Sequence, residues 1–322
     1  MKLIIQIPCY NEEQTLPVTL RALPRRLRGV DRIEVVVIDD GSSDGTVRAA
    51  RDGKAAHVVR FKNHRGLADA FSAGLDACVR LGADIIVNTD ADNQYAAADI
   101  QSLIDPILSG EADMVIGDRR VETIRHFSFI KKRLQKWGSW TVRQLSGTDI
   151  PDVTSGFRAM SREAAMRLNI LSRFTYTLET VIQAGKKNMA VTHVPVRTNA
   201  QTRPSRLFSN IGSYLKRSVT TMIRIYALYE PLKIFLSIGG AVFGLGFLLG
   251  LRFLWFYFTG SGTGHIQSLI LAAVLMIVGF QVAMIGLLSD LIAANRRLIE
   301  DVLYRMKKLE FGDGERKKRP RA

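Results

Sequence analysis

Residues 84–94 read Asp-Ile-Ile-Val-Asn-Thr-Asp-Ala-Asp-Asn-Gln, a β-branched run that breaks into a polar loop with two carboxylates. The run Asp84 to Asn88 predicts a buried strand, which puts Asp90 and Asp92 just past its carboxyl end. Two similar runs precede it. Leu3 to Ile7 leads into Pro8-Cys9-Tyr10-Asn11-Glu12, and Ile33 to Ile38 leads into Asp39-Asp40-Gly41-Ser42. Helical patterns over Glu13 to Leu27 and Leu67 to Leu81 separate the three. Strands alternating with helices predict βαβ units and a parallel sheet, in which ligands gather at the carboxyl ends of the strands. Three polar clusters at three such ends predict one shared site.

Two carboxylates one residue apart can share a hard divalent cation such as Mg²⁺ or Mn²⁺, which takes oxygen ligands and keeps positions open for water and phosphate. Alone, Asp-x-Asp is a weak signal because loops are rich in aspartate. The second cluster supplies context. Gly41 and Gly45 permit a sharp turn, and an aspartate there can accept from a base imide or a ribose hydroxyl. The same stretch also reads as an Asx turn leading into a helix capped by Ser43 or Asp44. The chain has neither Gly-x-Gly-x-x-Gly nor a Walker lysine, so dinucleotide binding and ATP hydrolysis fall away.

The chain has 322 residues and a formal net charge of +15, which calls for an anionic partner. Its apolar excess is concentrated between Ile234 and Ser289. Ile234 to Phe258 carries one charge, Arg252, and Ile266 to Ser289 carries none. Each stretch has about 24 residues, enough for a hydrocarbon core about 30 Å thick. Trp255 to Phe258 form an aromatic belt, towards which Arg252 can snorkel. Lysines and arginines flank the pair on its outer sides, while the connection Thr259 to His265 has no Lys or Arg. Positive-inside logic therefore predicts a multi-pass protein of the inner (plasma) membrane with both termini cytoplasmic. From Arg206 to Tyr229 apolar residues recur at helical spacing among Lys216, Arg217 and Arg224, a pattern suited to an anionic bilayer surface or to packing on a soluble domain. The expected organisation is thus a soluble domain over 1–205, an amphipathic helix over 206–232, a hairpin over 233–295 with spans 234–258 and 266–289, and a solvated basic tail over 296–322. Cys9 and Cys78 are the only cysteines, which excludes a disulfide framework or zinc site and predicts small buried residues in a reducing compartment. The opening apolar run is too short and poorly flanked to be a signal peptide. No basic helix with stacking aromatics lies apart from the membrane region, so nucleic acid is not an expected partner.

Pro8 to Glu13, Asp39 to Ser42, Asn63-His64-Arg65-Gly66, Asp90 to Gln94 and Asp152-Val153-Thr154-Ser155-Gly156-Phe157-Arg158 together resemble the ordered motifs of family 2 glycosyltransferases. Within that family they are similar to the dolichol-phosphate mannose synthase-like branch, including bacterial polyprenyl-phosphate glycosyltransferases with two C-terminal membrane helices. The resemblance covers about the first 200 residues by motif and the remainder by architecture. It implies an α/β GT-A fold, a Rossmann-like mostly parallel sheet. It also implies inverting transfer of a single sugar from a UDP- or GDP-linked donor to polyprenyl phosphate. By it, Pro8, Tyr10, Asn11, Glu12, Asp39, Asp40, Arg65, Asp90, Ala91 and Asp92 bind the nucleotide-sugar. Asp90, Asp92 and Gln94 hold Mg²⁺ or Mn²⁺, and Arg119 and Arg133 hold the acceptor phosphate through their planar donor forks. Arg133 also sits in a basic run with Lys131, Lys132 and Lys136 that suits lipid headgroups.

Asp152 falls where the resemblance implies a general base. A phosphate monoester with a second pKa of about 6 is already largely a dianion at neutral pH, so a positioning role suffices. The expected catalytic set is Asp92, Asp152, Arg119 and Arg133. A processive polysaccharide synthase would bring a Gln-x-x-Arg-Trp motif and more membrane helices. A non-catalytic membrane scaffold would not need Asp39, Asp90, Asp92 and both arginines. The sequence leaves the sugar, the base, the polyprenyl length and self-association open.

Overall fold

The structure, a computed structural model, describes residues 1–120, 146–170, 176–199, 229–260 and 262–316, together with Arg143, Thr220 and Arg224. Arg133, most of the expected amphipathic helix and the last residues of the basic tail lie outside that set. The chain forms two units, residues 1–218 with 302–322, and residues 219–301.

The first unit is built on seven strands: β1 (Lys2–Cys9), β2 (Arg32–Asp39), β3 (His57–Arg60), β4 (Ile85–Asn88), β5 (Met114–Asp118), β6 (Arg158–Ser161) and β7 (Val191–Pro195). Their order is β3-β2-β1-β4-β6-β5-β7. Strand β1 pairs in parallel with β2 (Leu3 opposite Ile33) and with β4 (Leu3 opposite Ile85). β6 runs antiparallel to β4 and β5, and the remaining pairs are parallel. Leu3, Ile4, Ile5 and Ile7 are fully buried, as a parallel strand covered on both faces requires. Each such side chain contributes roughly 1.5–3 kcal/mol by leaving water. The chain moves from β1 to β2 and β3 on one side, then crosses to β4 on the other. The β1–β4 boundary is therefore the point where strand order reverses, the usual place for a ligand crevice.

Among the described residues, helices α1 (Leu16–Ala22), α2 (Thr46–Asp52), α3 (Leu67–Arg80), α4 (Ile100–Leu108), α5 (Arg162–Arg167) and α6 (Thr177–Lys186) belong to the same unit. Helix α1 is shorter than the expected Glu13 to Leu27. Leu23 takes an extended conformation with ψ of 140°, because Pro24 disfavours a helical residue before it. Residues 302–311 also belong to this unit as part of a long helix, α8 (Ile266–Arg316). Lys307 Nζ lies 3.0 Å from Asp76, Arg162 Nη2 donates to the Phe311 carbonyl at 3.0 Å, and the Tyr304 hydroxyl donates to Glu163. From 296 onward, where a basic tail is expected, the chain stays helical to Arg316.

The second unit contains α7 (Pro231–Phe258) and the first part of α8, both long and apolar enough to cross a membrane. The two helices meet through glycines at seven-residue spacing. A Cβ added to Gly279 would lie 2.5 Å from Phe243 N and 2.7 Å from Gly239 O, and one at Gly246 would lie 2.9 Å from Ala272 O. Backbones this close accept no side chain. Gly279→Leu is therefore expected to lower the thermal stability of detergent-extracted protein by an amount equivalent to about 1–3 kcal/mol or more. Gly244→Leu, where an added Cβ meets nothing within 4 Å, should leave it unchanged. Melting curves followed by aggregation check both.

Candidate active site

The loops that follow β1, β2 and β3 are tied to one another. Asn11 takes a left-handed backbone (φ 54°), its N–H donates to Ser42 Oγ at 2.9 Å, and its Oδ1 accepts from Ser43 N at 2.9 Å. Glu12 N donates to Thr46 Oγ1 at 2.8 Å. Asp44 Oδ1 accepts from Thr46 N at 3.0 Å, so it steadies the start of α2 although Gly45 holds the cap position. Gly41 has φ +70°, and a Cβ there would lie 2.6 Å from the Asn63 carbonyl carbon. Only glycine lets these loops approach so closely.

Asp39 and Asp40 end β2 with different surroundings. Asp39 is fully buried; its Oδ1 accepts from Ser42 N at 3.3 Å. Its Oδ2 lies 3.2 Å from Arg60 Nε, yet no well-aligned hydrogen bond reaches it. Asp40 accepts from Arg65 N at 2.7 Å and Gly66 N at 2.9 Å, which satisfies the open N–H groups at the start of α3. Its Oδ2 also lies 2.9 Å from His64 Nδ1. The Arg65 guanidinium stands over the Phe61 ring at 4.8 Å. The Tyr10 and His64 rings stack with centroids 4.0 Å apart, and Tyr10 is 40% exposed. His64 has no metal-ligand spacing in the sequence; its partner Tyr10 lies on another strand end, so spacing alone does not find it.

Asp90 and Asp92 follow β4. Ala91 between them is buried, and its carbonyl accepts from Thr19 of α1 at 2.8 Å. Asp92 Oδ1 accepts from Gln94 N at 3.1 Å across Asn93, which is left-handed at φ 55°. Asp90 keeps part of its surface accessible but is packed among protein atoms. A Cβ at Gly156 would stand 3.0 Å from Asp90 Oδ1 and 3.1 Å from Oδ2, so the absent side chain leaves the carboxylate its room. Burial, then repulsion from Asp92, pushes the Asp90 carboxyl up to about 7. Two crowded carboxylates with oxygen donors only are the donor set a hard divalent cation relieves, so the residues fit Mg²⁺ or Mn²⁺. Among the described residues no third His, Cys, Asp or Glu joins them, which leaves the remaining positions to neutral oxygens: an amide such as that of Gln94, water or phosphate.

Arg119, just past β5, forks onto Asp152: Nε donates to Oδ2 at 2.7 Å and Nη2 to Oδ1 at 3.0 Å. The same Nη2 reaches Thr154 Oγ1 at 2.8 Å. Asp152 is buried. Burial alone would raise its carboxyl, but the Arg119 charge and hydrogen bonds, with those from Thr154, outweigh it and hold the group below the ordinary carboxylate value.

The loop bearing Asp152 and Gly156 is held from beneath by residues that the sequence reading did not single out. Arg158 is fully buried, and its guanidinium donates to the carbonyls of Ser155 and Thr177 and to Thr180 Oγ1. Asn88 Nδ2 donates to the Gly156 carbonyl at 2.7 Å and the Tyr176 hydroxyl at 3.0 Å, while its Oδ1 accepts from Gln6 at 2.9 Å. The Tyr95 hydroxyl accepts from Gly156 N at 3.1 Å. Pro8 lies buried inside β1 and, like Ala91, shapes a loop without offering a polar side chain.

The profile of the family described as Glycosyl transferase family 2 matches residues 4–168, just over half of the chain. Polyprenol monophosphomannose synthase of Mycolicibacterium smegmatis is 30% identical over 204 residues, 60% of this chain and 76% of that protein. Undecaprenyl-phosphate mannosyltransferase of Micrococcus luteus is 29% identical over 208 residues, 61% of this chain and 83% of that one. Glycosyltransferase AglJ of Haloferax volcanii is 29% identical over 315 residues, 95% of this chain and 97% of its own length, so that match reaches the apolar helices. Among solved structures, glucosyl-3-phosphoglycerate synthase from Mycobacterium tuberculosis, in complex with Mn²⁺, UDP and phosphoglyceric acid, matches with a TM-score of 0.52 at 19% identity. That match covers 69% of this chain and 78% of the other, and it shows the GT-A fold.

Proposed function

The chain belongs to glycosyl transferase family 2, and from that membership we propose that it transfers a single sugar, with inversion, from a nucleotide-sugar to polyprenyl phosphate at the cytoplasmic membrane face. One observation carries this reading: the Asp90 carboxylate, whose acid form is favoured by burial and by Asp92, stands against Gly156, in the same loop as the ion-paired Asp152. The similar proteins named for polyprenyl and undecaprenyl phosphate support the acceptor class.

In this mechanism Asp90 and Asp92, with Gln94, hold Mg²⁺ or Mn²⁺. When bound, the cation supplies Lewis-acid neutralisation of the departing diphosphate. Asp39, Tyr10, Asn11 and Glu12 bind the nucleoside. Arg119 receives the acceptor phosphate through Nη1, which takes no part in the bonds to Asp152 and Thr154. Arg133 is its proposed companion. The acceptor dianion attacks the anomeric carbon without first losing a proton, and one in-line displacement inverts that centre. Asp152 orients Arg119. The amphipathic helix over 206–232 and the apolar hairpin keep the site at the headgroup layer, where the acceptor phosphate emerges.

Membranes containing the protein, incubated with radiolabelled UDP- and GDP-sugars and extracted for lipid, are expected to yield one labelled sugar on polyprenyl phosphate. Label in a polymer would instead establish a processive synthase. Failure to transfer from any donor would establish a scaffold.

The cation should also bind with a defined pH dependence. With the Asp90 carboxyl at about 7 in the free site, binding expels a proton, so apparent Mn²⁺ affinity should rise about tenfold between pH 6 and pH 8. A carboxyl at its ordinary value would give a flat response there. Mn²⁺ titration followed by electron paramagnetic resonance distinguishes the two.

A further inference from the structure

Strand β7 ends at Pro195, and the residues after it are laid along the outer edge of the Asp90 to Gln94 loop. Val196 N donates to the Asp118 carbonyl at 2.9 Å, just before Arg119. Further on, the Arg197 carbonyl accepts from Ala96 N at 3.1 Å, and Thr198 bridges to Tyr95 in antiparallel sense. Asn199 N then donates to the Gln94 carbonyl at 2.8 Å. The run Val196 to Asn199 therefore reaches from the neighbour of the ion-paired arginine to the loop of the crowded carboxylates.

The Asn199 side chain goes beyond this ladder. Its Nδ2 donates to the Asn93 carbonyl at 2.8 Å and to the Tyr95 carbonyl at 3.3 Å, on either side of Gln94. With its own N–H on the Gln94 carbonyl, one residue holds three consecutive carbonyls of the loop. The opposite side of the loop is held as well. Asp92 Oδ1 accepts from Gln94 N, and the buried Tyr95 hydroxyl accepts from Gly156 N. Both peptide planes of Gln94 are thus fixed, including the turn through left-handed Asn93. Arg197 forks onto Asp99 from the same run, with Nε and Nη2 at 3.0 and 2.6 Å from Oδ1, but its side chain is 72% exposed. An exposed pair of that kind contributes little.

We propose that Asn199 is a positioning residue for the cation: it locks the backbone on both sides of Gln94, so that the Gln94 amide oxygen needs little further ordering to join Asp90 and Asp92. Carboxylates draw a cation by charge, whereas a neutral amide is an effective ligand only if it is already in place, and outer partners of ligands supply that order. The inference rests on the reading of Asp90, Asp92 and Gln94 as the ligands, and deepens it.

Mn²⁺ alone, titrated into the full chain in detergent and followed by electron paramagnetic resonance, reads the effect apart from activity. Asn199→Ala keeps the main-chain bond and loses the two side-chain bonds; it is expected to weaken Mn²⁺ binding about tenfold. Arg197→Ala, which removes the exposed pair on the same run, should change it less than about twofold. The melting curve of Asn199→Ala without metal should overlay that of the wild type. Its kcat at saturating Mn²⁺ should stay within about twofold, the defect appearing only as a higher Mn²⁺ requirement. In a Gln94→Ala background, adding Asn199→Ala should weaken binding by less than about a further twofold, because the effect passes through Gln94. Unchanged affinity in Asn199→Ala, an equal loss in Arg197→Ala, a kcat that saturating Mn²⁺ does not restore, or fully multiplied losses in the double variant would overturn the proposal. A wild-type chain that binds no Mn²⁺ would overturn the cation reading and this role with it. Tight binding by the wild type and Asn199→Ala alike would overturn the role of Asn199 alone.

Discussion

Asp90→Asn and Asp92→Asn are each expected to lower kcat/KM for sugar transfer by about 10³-fold, close to 4 kcal/mol of lost transition-state stabilisation. The substitution keeps the shape of the side chain and removes the charge that would hold the cation in the proposed mechanism. The stability readout separates a functional carboxylate from a structural one. The folded-state carboxyl of Asp90 is raised to about 7, from an ordinary value near 3.8, chiefly by burial and by Asp92. Without metal, the folded protein binds more protons than the unfolded chain between those values. Wild-type stability therefore falls as pH rises through that window, while that of Asp90→Asn does not. At pH 8 without metal, Asp90→Asn should melt above the wild type and yet be nearly inactive. Melting curves at pH 5 and pH 8, paired with transfer assays, check this. A variant that lost stability along with activity would identify Asp90 as a structural group. Such a gain is the usual mark of a site that trades stability for function.

The half of this site that follows local patterns is legible in the sequence. β1, β2 and β4 are short β-branched runs, and the polar loops at their ends fall where a parallel sheet gathers ligands. The other half depends on contacts between distant residues. Arg119 and Asp152 are 33 positions apart, and nothing in their spacing announces the ion pair. Arg158 is charged and fully buried, against the ordinary expectation for arginine, because the carbonyls of Ser155 and Thr177 receive its donors. β6 is a four-residue strand that begins inside a loop motif, too short to show alternation. The end of α1 was readable from Pro24, whereas the helical continuation of α8 was hidden by a basic run that also suits a solvated tail.

The Arg119–Asp152 pair supports the other large effect. The Asp152 carboxyl lies below the ordinary carboxylate value, so it is ionised throughout the working pH range and is a weak base. Asp152→Asn keeps an oxygen for one Arg119 donor but removes the charge and the second acceptor that aim the fork. An expected fall of about 10²-fold in kcat/KM for the acceptor follows, with the shape of the pH–rate profile between pH 6 and 9 unchanged. A limb present in the wild type and absent in the variant would instead assign Asp152 as the base. Arg119→Ala should do more damage, because it strands a buried carboxylate, at a cost of about 3–5 kcal/mol of stability. Arg119→Lys is the milder probe, since it keeps the charge and loses the two-pronged geometry. If the two residues act as a unit, the Arg119→Lys/Asp152→Asn double variant should lose little more activity than the worse single one. Fully additive losses would show that Arg119 and Asp152 serve the reaction independently.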